Sequence, residues 1–132
     1  MKALIYEQPG PEALRYAEVP DPIPEARDVI VKVAATTVNH LDVIQRNGWF
    51  AMPGFTLPHI AGMDVAGTVI EIGSAVTHFN VGDRVLIDPS LTQVPEDSKL
   101  RGRGDLYGEL GVIGANVDGG YAQQCLAPET HL

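Results

Sequence analysis

Residues 58–85 read PHIAGMDVAGTVIEIGSAVTHFNVGDRV, and this stretch restricts the fold more than any other. Val65, Val69, Ile70 and Ile72 favour a β-strand, and Gly67 interrupts them where a bulge or a close backbone approach is expected. Gly73-Ser74 ends that strand, and Val81-Gly82-Asp83 turns the chain into a second one, Arg84-Val85-Leu86-Ile87. Ahead of the first strand stands Gly62-Met63-Asp64, which places a carboxylate at a strand mouth.

The rest of the chain reads as more of the same material. KALIYE, residues 2–7, is a short strand, broken by Gln8-Pro9-Gly10-Pro11. Residues 14–19 alternate apolar and polar as a half-buried strand does. Pro20, Pro22 and Pro24 then exclude both helix and central strand and make a rigid connector. DVIVKVAA, residues 28–35, is the strongest strand of the first half, with Val29, Val31 and Val33 on one face and Ile30, Lys32 and Ala34 on the other. Residues 40–46 change to helical spacing, with Leu41, Ile44 and Gln45 on one side. Asn39 or Thr37 is the expected N-cap, and Asn47-Gly48 closes the helix. Residues 88–118 form a long polar segment, after which residues 121–126 make a last strand ended by Pro128. Short strands, Gly/Pro turns and one short helix predict a mostly-β barrel or sandwich.

Several function classes fall away on composition. With 132 residues the chain builds one domain with a real core. A formal net charge of −8 opposes nucleic-acid binding, which needs a basic face. No apolar run is long enough to cross a bilayer. A single cysteine, Cys125, excludes an internal disulfide and fits a reducing, cytoplasmic setting. Gly102-Arg103-Gly104-Asp105-Leu106-Tyr107 imitates a dinucleotide fingerprint, but Tyr107 stands at the third glycine and no strand precedes it. The glycines at 108, 111 and 114 read as loop composition.

Four pieces in order, KALIYEQPG, VNHLDVIQRNG, the 58–85 stretch and GGYAQQCLAPETHL, make the chain similar to one family. It resembles the N-terminal catalytic domain of medium-chain dehydrogenases/reductases, the alcohol dehydrogenase and quinone oxidoreductase superfamily. The resemblance implies a GroES-like, partly open β-barrel with one or two short helices, spanning residues 1–132. It also implies a nucleotide-binding Rossmann domain that would follow Leu132 and is absent from this sequence.

The resemblance further implies where chemistry sits. In zinc-dependent members the helix begins with a cysteine ligand, followed two residues later by Ser or Thr; Asn39 and Leu41 stand there. The second ligand is the His of a Gly-His-Glu triplet, matched by Gly62, Met63 and Asp64. An amide, a thioether and one carboxylate do not make the three-donor set a catalytic zinc requires. The four cysteines of the relatives' structural zinc have no counterpart in residues 88–118. No zinc is therefore expected, and Cys125 reads as a small buried hydrophobe.

Asn39, Asp42 and Asp64 are the candidate catalytic residues by this correspondence. Asp42 also reads as a first-turn residue favoured by the helix dipole, and Asp64 as a polar residue paired with a barrel group. His40, with Asn39, is the candidate for meeting the cofactor's pyrophosphate; an exposed histidine is the plain alternative. His78 reads as a solvated turn residue. Trp49 and Phe50 read as core or pocket wall, core being the commoner fate.

The implied activity is hydride transfer from NADPH or NADH to a carbonyl, enone or quinone without metal, in a cytoplasmic enzyme prone to self-association. Two other readings stay open: a zinc-type alcohol dehydrogenase with atypical ligands, and a non-catalytic GroES-like binding module. This domain alone is expected to be inactive.

Overall fold

A computed structural model describes residues 1–102 and 111–132. Arg103 to Tyr107 of the fingerprint-like run, and Gly108, lie outside the described residues. In chain order the elements are β1 (Lys2–Tyr6), β2 (Arg15–Glu18), β3 (Asp28–Thr36), α1 (His40–Arg46), β4 (His59–Ile60), β5 (Val65–Ile72), β6 (Arg84–Ile87), β7 (Ser90–Leu91), β8 (Gly111–Val112) and β9 (Gln124–Pro128). A 3₁₀ turn, Glu129–His131, follows. Among the described residues no helix is long and apolar enough to cross a membrane.

The strands form three antiparallel sheets, ordered β2-β1-β4, β6-β5-β3-β9 and β7-β8. They do not close into a full barrel, in keeping with a partly open GroES-like architecture. An isolated bridge between Ala3 and Ala122 ties the first sheet to the approach of β9.

The β3–β5 ladder is the backbone of the fold, and two register shifts bend it. Ile70 is the extra residue on β5, opposite the step from Ile30 to Val31. Ala34 is the extra residue on β3, opposite Gly67 and Ala66. Gly67 is required there because a Cβ would lie 2.2 Å from the Lys32 carbonyl oxygen. The close approach expected at Gly67 is thus real, and the nearby bulge belongs to the partner strand.

The core gathers Val29, Val31, Val65, Val69 and Ile87 from the large sheet with Cys125 and Ala127 of β9. Ile30 is fully buried as well, so the first half of β3 is covered on both faces, whereas Lys32 and Ala34 are exposed as their face predicts. Leu91, Val94, Ile113 and Val117 also enter this core. The described part of the polar segment at 88–118 therefore carries two short strands and a share of the interior. Its attachment begins at Asp28, a buried carboxylate that accepts bonds from the Ser98 hydroxyl at 2.5 Å, Lys99 N–H at 2.9 Å and Glu25 N–H at 3.1 Å.

Three expectations need correction. The last strand is Gln124–Pro128, not residues 121–126, because Gly119 to Tyr121 are bound to the turn before β5. Tyr121 N–H donates to the Ala61 carbonyl at 2.9 Å and Gly120 N–H to the Gly62 carbonyl at 2.8 Å. Trp49 and Phe50 are not core: they are 75% and 49% exposed. Phe55, in contrast, packs its ring edge-on against His59 at 5.0 Å between centroids.

Candidate active site

Two short segments bring the predicted residues together. The first is the end of β3 and the start of α1. Asn39 has extended backbone (φ −109°, ψ 157°) and caps the helix, and Asp42 accepts its backbone N–H at 2.7 Å. At the other end Gly48, at φ +77°, turns the chain out of the helix as expected. The second segment is the turn Gly62-Met63-Asp64, where Gly62 has φ +100°. A Cβ at Gly62 would meet the Tyr121 ring at 2.4 Å, so backbone and aromatic ring lie in direct contact.

Asp64 projects from that turn to the helix mouth. Its Oδ2 accepts the Asn39 side-chain Nδ2–H at 2.8 Å and the Thr37 hydroxyl in a short bond. The Thr37 hydroxyl first, and the Asn39 amide second, hold the Asp64 carboxyl below its ordinary value of 3.8. Asp64 is thus a carboxylate at neutral pH, exposed on one side and fixed on the other. The Asn39 Nδ2 also lies 3.4 Å from the Thr37 Oγ1, too long for a strong bond.

Asp42 stands behind this pair and is only 7% exposed. Its Oδ2 accepts the Asn39 backbone N–H and the Tyr121 hydroxyl, the latter at 2.9 Å. Its Oδ1 accepts the Gly62 N–H at 3.3 Å. Burial first, and the Asp42 carboxylate second, push the Tyr121 hydroxyl far above its ordinary value, so Tyr121 remains a donor. His40 is separate from the cluster: it is the first residue of α1, with its side chain exposed to solvent.

A cleft of about 680 Å³ runs alongside, lined by Tyr6, Val33, Val38, Asp42, Val43 and Tyr121 among others. Neither Asn39 nor Asp64 lines it; their hydrogen bond is exposed to solvent.

The donor set bears on metal. Where the resemblance places zinc ligands stand an amide (Asn39) and a thioether (Met63), with the Asp64 carboxylate next in the chain. Among the described residues no group of three His, Cys, Asp or Glu is placed to hold a metal ion. Cys125 is in the core, where burial and then the Asp118 charge push its thiol up to about 12. His78 is exposed, and His59 is buried with Nε2 3.0 Å from the Gly114 carbonyl.

Asn39 and Asp64 thus lie in one hydrogen-bonded cluster, with Asp42 beneath them and His40 apart. Thr37 and Tyr121 are the residues that the sequence did not single out. Thr37 was visible only as a possible cap, and Tyr121 only as a strand residue. Their roles arise from contacts across 27 and 79 residues of chain.

Residues 25–132 match the family described as the alcohol dehydrogenase GroES-like domain. The chain is 36% identical over its whole length to an alcohol dehydrogenase of Geobacillus stearothermophilus, of which it covers 39%. It is 40% identical over 87 residues to a quinone oxidoreductase of Lama guanicoe, a match spanning 64% of this chain and 26% of that enzyme. Among solved structures, an NAD-dependent alcohol dehydrogenase superposes with a TM-score of 0.84 at 36% identity, over 99% of this chain and 38% of the other. The chain therefore spans about two fifths or less of these proteins.

Proposed function

The chain belongs to the alcohol dehydrogenase GroES-like domain family, and from that premise we propose that it is the catalytic domain of a zinc-independent, NAD(P)H-dependent oxidoreductase. Its substrate is a carbonyl, enone or quinone, and a Rossmann domain elsewhere in the enzyme supplies most of the cofactor contacts. The names of the relatives support both halves of the substrate class, one being an alcohol dehydrogenase and one a quinone oxidoreductase.

The observation that carries this reading is the Asn39–Asp64 hydrogen bond at the helix mouth. Asn39 and Met63 stand where the resemblance places zinc ligands, and with Asp64 they do not make a zinc donor set. The reduced nicotinamide supplies a hydride when bound. A hydride arriving at carbon would leave negative charge on the substrate oxygen, which a fixed donor would stabilise. Asn39 is that donor. One Nδ2 hydrogen is committed to Asp64, and the other has only the 3.4 Å Thr37 contact, so it is free for the substrate.

Asp64 fixes which end of the amide points outward, because a carboxylate accepts from N–H and repels C=O. Its own charge would oppose an oxyanion, so substrate oxygen contacts Asn39 and not Asp64. The final proton on oxygen comes from water at this open face. Asp42 belongs to the support of the site, and His40, exposed at the helix mouth, would meet the cofactor's phosphates.

The test is Asn39→Ala in the enzyme that contains this domain. Loss of one such donor lowers kcat by about 10²–10³-fold, with cofactor affinity little changed. Turnover within threefold of the parent, or activity lost on chelation and restored by zinc, would refute the reading.

A further inference from the structure

Every segment that carries the Asn39–Asp64 pair is referenced to one side chain that is not itself at the reacting face. The Tyr121 hydroxyl lies 2.9 Å from Asp42 Oδ2 and 3.2 Å from the Thr37 carbonyl oxygen. The same Asp42 oxygen accepts the Asn39 N–H, and its other oxygen accepts the Gly62 N–H. The Tyr121 ring lies on Gly62 with no space for even a methyl group between them.

Tyr121 is itself rigidly placed. Its N–H donates to the Ala61 carbonyl, and its carbonyl accepts the Leu4 N–H at 2.7 Å. Three segments are thus fastened to it: the Thr37–Asn39 approach to α1, the Gly62–Asp64 turn, and β1. We propose that Tyr121 is the positioning residue that holds Thr37 and Asn39 onto Asp64, acting through Asp42 and through the Thr37 carbonyl.

The chemistry of the phenol suits this role. It has one proton and two acceptors within reach, of which the carboxylate is nearer and charged, so Asp42 takes the stronger share. Removing the hydroxyl leaves Asp42 with the two backbone N–H donors and frees the Thr37 carbonyl. The segment bearing both Asp64 donors then loses its Tyr121–Thr37 restraint and keeps the bonds between Asn39 and Asp42, while the ring, and hence the packing on Gly62, stays. The importance of the pair for turnover rests on the function proposed above. Its geometry does not.

The experiment therefore follows Asp64 directly, with no cofactor or substrate present. The side-chain carboxyl of Asp64 is titrated by ¹³C NMR in the parent protein, in Tyr121→Phe and in Thr37→Val. Among the described residues Tyr121 is the ionisable group that interacts electrostatically with it, and the Asp42 carboxyl, which shares Asn39 as a donor, is assigned in the same spectra. The parent Asp64 titrates below 3.8. Thr37→Val, which removes a direct donor, raises that value, and Tyr121→Phe raises it in the same direction with core amide resonances at Val29 and Val31 unmoved.

An Asp64 titration in Tyr121→Phe identical to the parent would overturn the proposal, as would a Thr37→Val variant that leaves Asp64 unmoved. If Tyr121→Phe loses the folded core, Asp42→Asn is read in its place, since it keeps the phenol and weakens its acceptor. Unchanged turnover in Asn39→Ala would sink the function and leave this arrangement standing, so the two failures are distinguishable.

Discussion

Gly114→Ala should be among the most damaging single-atom additions this domain can receive. Two separate penalties meet at the site. Gly114 has φ +83°, where an L-residue with a Cβ costs about 1–2 kcal/mol. The added Cβ would also lie 2.5 Å from both the carbonyl carbon and oxygen of Gly62 and 2.7 Å from Met63 N. All three are backbone atoms, so no side chain can rotate away, and overpacking of this kind costs about 1–3 kcal/mol. The sum, about 2–5 kcal/mol, is a large part of the ~5–15 kcal/mol that stabilises a domain. Two other glycines separate the terms. Gly82→Ala carries only the backbone penalty, since φ is +101° and nothing lies within 4 Å. Gly119→Ala carries only the packing penalty: its φ is outside the left-handed region, and the Cβ would sit 2.3 Å from the Gly62 oxygen. Urea unfolding followed by far-ultraviolet circular dichroism measures all three, because Trp49 is too exposed for its fluorescence to report on the core. Gly114→Ala should lose at least about 1 kcal/mol more than Gly82→Ala. Equal losses would refute the close packing of residue 114 on the Gly62–Met63 backbone.

Acid should weaken the fold in two stages. Burial is the main influence that lowers the His59 imidazole from 6.5, so below that pH the unfolded chain binds a proton that the native state declines, and stability falls. His59→Gln should flatten this first stage in a stability-versus-pH curve. Burial alone would raise the Glu129 carboxyl, but Thr77 N–H, Arg27 and His78 N–H outweigh it and bring it below 4.5. Its contribution is thus present above 4.5 and lost as pH falls through the lower native value; a flat curve in that range for the parent would contradict it. The third expectation is self-association that strengthens with salt. Trp49 and Phe50 are exposed, edge strand β6 shows Leu86 72% exposed, and a net charge of −8 supplies the repulsion that salt screens. Sedimentation across a salt series checks this, and a monomer at high protein and high salt would refute it.

What could be read from the residues follows the range of the interactions involved. The β5 strand, the β6 turn, the helix and its Gly48 exit rest on local preferences, and they stand within a residue or two of expectation. The β4 strand is two residues long and exists only because His59 and Ile60 pair with Tyr6 and Ile5, so no local pattern marks it. Trp49 and Phe50 were assigned to the core because apolarity says nothing of what lies above a side chain. In the site, Asn39 and Asp64 stand out through the family resemblance, which matches them to the start of the helix and to the triplet before β5. Thr37 and Tyr121 carry no such mark; their meaning is set by segments that meet only in three dimensions.

The clamp at Asp42 also has a consequence for how the chain is made. Tyr121 closes it from 79 residues downstream. At a synthesis rate of ~5–20 residues per second, roughly 4–16 s separate the emergence of the helix from that of its clasp. Once β5 has followed the helix out, the Val29, Val31, Val65 and Val69 side chains of β3 and β5 still have no β9 to cover them. A nascent chain of this protein must therefore wait, with its most apolar ladder half dressed, for the residues that finish the site. The residues that close the interior and the residue that clasps the helix mouth leave the ribosome in one short stretch, Tyr121 to Pro128.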